Sequence, residues 1–139
     1  MSDTREDAAS IATETSRRRR RERAGRSAEH VAAVVLILKG YRILARRLQT
    51  HAGEIDIVAV RGRRLAFVEV KQRSDLGSAR FAVTPRQQQR LQRAADAFVQ
   101  RFSKYRGHDR GFDRFEVARL WTFRHVIDGL QPPANGGPR

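Results

Sequence analysis

Cysteine is absent from this chain of 139 residues. That excludes a disulfide framework and any thiolate metal site, and a reducing cytoplasm is the compartment that fits. Aromatic residues are scarce at 7%, with a single Trp. The longest apolar run, residues 31–38, is too short to span a bilayer. Asp3, Glu6 and Asp7 precede any apolar stretch, unlike a secretory leader. A basic amphipathic helix with a bulky apolar face is lacking as well, so no membrane partner is expected. Acids are the last scarcity: 15 Asp and Glu stand against 29 Lys and Arg, for a net charge of +14.

Residues 1–22 hold six arginines and five acids, so residues 23–139 carry +13 of the +14. The excess belongs to the folding part of the chain, and a polyanion, most simply nucleic acid held through its phosphates, is the expected partner. Residues 1–22 are polar and without apolar periodicity, and read as a disordered tail. Its Arg17–Arg21 run is either an electrostatic arm or a solvated tail. Residues 131–139, rich in Pro and Gly, read as a second disordered tail. One domain is expected over 23–130, with the 40% hydrophobic content of the chain supplying its core.

The densest signal is GEIDIVAVRGRRLAFVEVK, residues 53–71. Two β-rich runs flank Gly62-Arg63, and Gly in the first central position of a two-residue loop is the type II′ hairpin pattern. That loop sets Arg61 opposite Arg64, Asp56 opposite Glu69 and Glu54 opposite Lys71. Facing residues share one side of a sheet with Cβ atoms about 5 Å apart. A loop one residue longer would send Asp56 and Glu69 to opposite faces.

Carboxylates set against each other repel, and the pattern becomes favourable if a cation lies between them. Mg²⁺ (or Mn²⁺) takes oxygen ligands, and Asp56, Glu69 and Glu54 would supply them. Lys71 could then orient or deprotonate an attacking water or neutralise charge growing on a phosphate. The alternative is an edge hairpin with a solvated polar face, in which Glu54–Lys71 is an ordinary cross-strand ion pair. The metal reading is preferred because the Asp, the hairpin and the Glu-x-Lys fall in matching register.

The stretches GEIDIVA (53–59) and FVEVKQR (67–73) resemble the YraN-type family of small bacterial proteins, over roughly residues 23–130. That family is assigned to the restriction-endonuclease-like superfamily, whose signature is an Asp on one strand and (Asp/Glu)-x-Lys on the next. The resemblance implies an α/β fold, a mixed central sheet with flanking helices in the order αβββαββ. It also implies a Mg²⁺-dependent nuclease site.

Upstream, Ser27 reads as the N-cap of a helix over residues 28–39, with Gly40 just past its end and Val31, Val34, Val35 and Leu38 as its core stripe. Glu29 in the first turn suits the helix dipole. The family resemblance of Gly25 to Glu29 also admits it as a further metal ligand or catalytic carboxylate. His51 reads as a loop histidine or phosphate contact. The family often has Asn where Arg47 stands here.

Downstream, Thr84 as N-cap and Pro85 at N1 open a second helix, whose Leu91, Ala94, Ala95, Phe98 and Phe102 face the sheet. Arg86, Arg90, Arg93, Gln87 and Gln89 are expected to point elsewhere. Arg73, Arg80, Arg86 and Gln87 are candidate nucleic-acid contacts, with solvated helix-face charge as the alternative for the arginines. Glu116 is expected to be a structural carboxylate paired with arginine, and His125 a satisfied strand histidine.

The function expected is a metal-dependent endonuclease hydrolysing phosphodiester bonds, with Asp56, Glu69, Lys71 and Glu29 catalytic and DNA favoured over RNA. No base-reading element is recognisable, so structure-selective binding is expected. A homodimer is compatible with this reading. The rivals are a nucleic-acid-binding module that does not cut, and a partner-docking protein whose charge serves solubility.

Overall fold

The computed structural model describes residues 3–73, 84–118 and 122–130. The elements run α1 (Asp3–Leu38), β1 (Arg42–Thr50), β2 (Gly53–Arg61), β3 (Arg64–Gln72), α2 (Pro85–Arg101), β4 (Asp109–Val117) and β5 (Phe123–Val126). A short 3-10 turn, Ser103–Tyr105, leads from α2 into β4. The αβββαββ order is the one expected. The five strands lie in sequence order in one mixed sheet, antiparallel except for the parallel pair β3–β4 that α2 bridges.

Two apolar clusters cover the sheet. On one face Leu91, Ala94, Ala95, Phe98 and Val99 of α2 meet Val58, Val60, Leu65 and Phe67. Phe67, 1% exposed, stacks on Phe112 and meets Phe98 edge-on. Burying a ring of that size contributes about 2–3 kcal/mol. On the other face α1 meets Ile57, Ala59, Ala66, Val68 and Phe115.

Helix α1 departs from expectation twice. It begins at Asp3, where the sequence suggests a tail up to residue 22 and a cap at Ser27. Ala, Glu and Arg are strong helix formers, and residues 8–20 extend the helix with every residue exposed. Its buried face is Ala28, Glu29, Ala32, Ala33 and Leu36, while Val34 and Leu38, both expected in the core, are 55% and 81% exposed. The sheet face beneath is filled by Phe115, Ile57 and Tyr41, so the helix lies against it through its alanines. Its C-terminus closes as a Schellman turn: Tyr41 N–H donates to the Leu36 carbonyl and Gly40 N–H to that of Ile37, with Gly40 at φ 93°.

Helix α2 follows its sequence closely. Thr84 and Gln87 form a reciprocal capping box with Pro85 in the first turn. Leu91, Ala94, Ala95 and Phe98 are buried as expected, but Phe102 caps the C-terminus and is 40% exposed.

A buried polar network joins the elements at one end. Asp113 is fully buried and takes Arg64 through both guanidinium nitrogens at 3.0 and 2.6 Å, His125 Nε2 at 2.8 Å and the Asp128 N–H at 2.8 Å. Lys39 Nζ lies 2.8 Å from His125 Nδ1, so His125 is the satisfied histidine the sequence suggests. Arg64 crosses Gly111 to reach Asp113, and a Cβ on Gly111 would collide with the guanidinium. Burial pushes the Asp113 carboxyl up, but its bonds from His125, Arg64 and the Asp128 amide outweigh burial and hold it down at about 2.

Candidate active site

The β2–β3 hairpin has the register the sequence specifies: Arg61 faces Arg64 and Ile57 faces Val68. Gly62 adopts φ 58° and Arg63 keeps a negative φ, the combination of a type II′ turn. Paired rungs run from that turn to Ile57–Val68. Beyond them the Asp56 carboxylate accepts the Val70 N–H at 2.8 Å, and β3 continues paired to β4 as far as Gln72. The site forms where β2 and β3 stop pairing.

At this level the strand alternation breaks. Ile55 packs in the α2-side cluster and Ile57 in the α1-side cluster, although residues two apart on a regular strand share a face. On β1, consecutive residues Arg46 and Arg47 both reach α1, at His30 and Glu29. Arg47 is at φ 51°, a left-handed conformation uncommon for Arg. The β1–β2 register sets Arg46 opposite Ile57 and Leu48 opposite Ile55, which puts Arg47 beside Asp56. Two matched irregularities therefore turn Glu54 and Asp56 towards α1.

The expectation that Glu54, Asp56, Glu69 and Lys71 crowd one flat face is corrected accordingly. Glu54 and Asp56 meet Glu29, and carboxylate oxygens of the three lie within 4.8 Å of one another. Glu69 and Lys71 alternate with Val68 and Val70 of the α1-side cluster, and so belong to the α2 side. There Lys71 Nζ is 3.6 Å from Glu69 Oε1, and Arg90 Nη2 of α2 is equally near it. The two sets meet through Asp56. Burial raises its carboxyl to about 6, the Val70 N–H opposes this, Glu29 and Glu69 add to it and Lys71 offsets part.

Each carboxylate of the triad has a hydrogen-bond donor among the described residues. Arg47 Nε donates to Glu29 at 2.7 Å, Gln49 Nε2 to Glu54 at 2.6 Å and Val70 N–H to Asp56. Three oxygen donors at this separation, one of them half-buried and costly to hold charged without a cation beside it, suit a hard divalent ion.

Arginine-lined clefts flank the triad. One, of about 330 Å³, is lined by Arg26, His30, Arg46 and Arg47. The other, of about 440 Å³, is lined by Ala52, Arg86, Gln87, Gln89, Arg90 and Arg93. Arg86, expected to contact phosphate, lines the second cleft. Gln87 lines the same cleft, but its side chain is engaged in capping Thr84. Arg73 is drawn to Glu116, Nε to Oε1 at 3.6 Å, where Arg114 and Arg124 also converge at 3.1 and 2.9 Å. Glu116 is therefore the arginine-paired structural carboxylate expected. Arg80 lies outside the described residues.

Sequence reasoning missed Arg90 and Arg47. Arg90, expected to point away, donates to the Glu54 carbonyl at 3.3 Å and packs over Gly53. Its position one residue before Leu91 of the buried stripe was the available signal. For Arg47 the signal was the Asn common at that position in the family it resembles, since Asn is the non-glycine residue that most readily takes φ > 0.

The model of the uncharacterised protein family UPF0102 matches residues 28–120, which hold every residue of the triad together with Glu69, Lys71 and Arg90. A UPF0102 protein of Parvibaculum lavamentivorans is 49% identical over 111 residues, 79% of this chain and 83% of its own length. One of Nitrobacter winogradskyi is 50% identical over 104 residues, 75% and 88% of the two chains. One of Bradyrhizobium diazoefficiens is 49% identical over 105 residues, 76% and 79%. The match extends over the α1 turn bearing Glu29, the hairpin, α2 and β4, and the chain belongs to the UPF0102 family.

Proposed function

We propose that this protein is a metal-dependent endonuclease that hydrolyses phosphodiester bonds in nucleic acid, selecting substrates by structure rather than base sequence. One observation carries the reading: Glu29, Glu54 and Asp56 converge beside Glu69 and Lys71 where two strands part, between two arginine-lined clefts. Asp56, Glu54 and Glu29, with Glu69 across the split, are the residues that would hold Mg²⁺ or Mn²⁺. Such an ion, when bound, polarises a phosphoryl oxygen and acidifies water.

The chain's own residues do the rest. Lys71, paired with Glu69 and 45% exposed, orients the attacking water or neutralises charge developing on the phosphate. Arg90 steadies Glu69 and the hairpin backbone from α2. Arg86 and Arg93 on one side and Arg26 and Arg46 on the other hold flanking phosphates, while Arg17–Arg20, exposed on α1, extend the basic track. DNA is the favoured substrate and the cytoplasm the favoured compartment. Among the described residues no helix is long and apolar enough to cross a membrane.

The ion pairs also support a second reading. Arg47 on Glu29 and Lys71 on Glu69 already neutralise two of the carboxylates, as in a binding module that does not cut. A panel of single-stranded, duplex, flapped and four-way DNA, with RNA, incubated with Mg²⁺, Mn²⁺ or EDTA separates the two. Cutting that EDTA abolishes supports the nuclease and names its substrate. Salt-sensitive binding to one structure with no cutting favours the module.

A further inference from the structure

We propose that Arg47 is the resident counter-cation of the carboxylate triad, holding Glu29 while no divalent ion is bound and releasing it when one binds. This rests on the metal-dependent reading above and adds an internal competitor to it.

Glu29 is 8% exposed, so its charge requires a partner inside the fold. Arg47 supplies one, Nε to Oε2 at 2.7 Å. The two ends of that pair differ: the Glu29 side chain is 10% exposed and that of Arg47 is 41% exposed. The carboxylate is fixed by burial, and the guanidinium can swing into solvent. The charges of Glu54 and Asp56 add to that of Glu29 in holding the guanidinium protonated, so Arg47 answers the whole triad.

Its backbone is adapted to this placement. Arg47 sits at φ 51°, beside Asp56, at the rung where both strands lose alternation. On a regular strand Arg46 and Arg47 would point to opposite faces; here both point towards α1. The conformation is one in which Asn is several-fold enriched, so Asn can replace Arg there with no added backbone strain and without the cation.

A divalent ion coordinated by Glu29, Glu54 and Asp56 needs the Glu29 oxygen that Arg47 occupies. Released, Arg47 remains in the cleft with Arg26 and Arg46, where its planar guanidinium fits a phosphate. Linkage makes the exchange reciprocal: an ion that takes Glu29 frees Arg47 for phosphate, and a phosphate that takes Arg47 frees Glu29. Metal and substrate would then promote each other's binding with no further moving part.

The test is Mn²⁺ affinity, without nucleic acid, by titration calorimetry on wild type, Arg47→Asn, Glu29→Gln and the double variant. Arg47→Gln runs in parallel, and circular dichroism checks each fold. Arg47→Asn should bind Mn²⁺ on the order of tenfold more tightly than wild type. In the Glu29→Gln background the gain should fall to about two- to threefold, the part owed to the charge of Arg47 beside Glu54 and Asp56, because the ion pair being exchanged is already absent. If both Arg47 variants bind like wild type, or tighten equally with and without Glu29, the exchange is wrong and the metal site stands. If none of the chains binds Mn²⁺, the metal reading falls and the exchange with it.

Discussion

The Asp56 carboxylate accepts the backbone N–H of Val70 at 2.8 Å, just past the last paired rung of β2 and β3. A side chain takes over where the backbone ladder ends, and the sheet opens on a carboxylate instead of closing over it. Asp56 is thereby half-buried, held by one amide and surrounded by Glu29, Glu54 and Glu69. Its properties should report on the whole site.

The first expectation concerns pH. The Asp56 carboxyl is raised from 3.8 to about 6 in the folded protein. The folded state then binds the proton more tightly than the unfolded state, so stability is highest below the unfolded value and declines as pH rises through the folded one. Asp56→Asn removes the charge and keeps an oxygen for Val70. We expect it to stabilise the fold by about 1 kcal/mol at pH 7.5 and to change little at pH 4. Urea denaturation at the two pH values measures it; equal effects at both would contradict the strained carboxylate.

Asp113 should behave in the opposite sense. Its carboxyl is held down at about 2, so its contribution is present above the unfolded value and is lost as pH falls through the folded one. Asp113→Ala takes the carboxylate from buried His125 and leaves Arg64 with Asp128 as its remaining acid, and should cost about 3 kcal/mol at pH 7. The deficit relative to wild type should shrink as pH approaches 2, as acid unfolding curves would reveal.

Gly62 tests the register. It stands at φ 58° with open space around its Cβ position, so Gly62→Ala meets no clash and bears the conformational cost of a position that favours glycine, about 1–2 kcal/mol. Thermal melts should show a loss of about 4 °C for each kcal/mol with metal binding unchanged. A larger loss would mean that the turn is held by more than its backbone.

The α2 cleft tests the nucleic-acid reading. Arg86→Gln with Arg93→Gln removes two of its cations and leaves the triad intact. The slope of log K against log salt should shrink by roughly 0.9 for each phosphate that is no longer neutralised. An unchanged slope would place the nucleic acid elsewhere on the molecule.

Where local chemistry decided the outcome, the sequence was readable. Gly62 fixed the hairpin and its register, Thr84 and Pro85 the start of α2, and Gly40 the end of α1. Leu91, Ala94, Ala95 and Phe98 identified the buried face of α2. The site was legible as a composition and less so as a geometry. Placing Glu54 and Asp56 beside Glu69 and Lys71 assumed unbroken alternation. The left-handed turn of backbone at Arg47 breaks it, and nothing in an arginine advertises that conformation. Half of the α1 stripe was misplaced for a related reason: Val31 and Val35 pack against the core as expected, but a sheet face already filled by Phe115 and Tyr41 accepts Ala32 and Ala33 in place of Val34 and Leu38. Arg90 was missed because a charged residue on a helix is ordinarily solvated, and only the split sheet provides carboxylate and carbonyl oxygens for it.

We propose that Glu69 and Lys71 complete a hydrolytic site with the triad. The most direct measurement is single-turnover cleavage of the preferred DNA substrate in Mn²⁺ by wild type and Lys71→Ala, with Mn²⁺ affinity and DNA binding determined on the same samples. Wild type should cleave, and the rate should fall by about 10²–10⁴-fold in Lys71→Ala, the range for a group acting on the reacting water. Mn²⁺ and DNA binding should stay within about threefold. Cleavage that survives the loss of Lys71, or a wild-type protein that binds DNA and Mn²⁺ and never cuts, would contradict it.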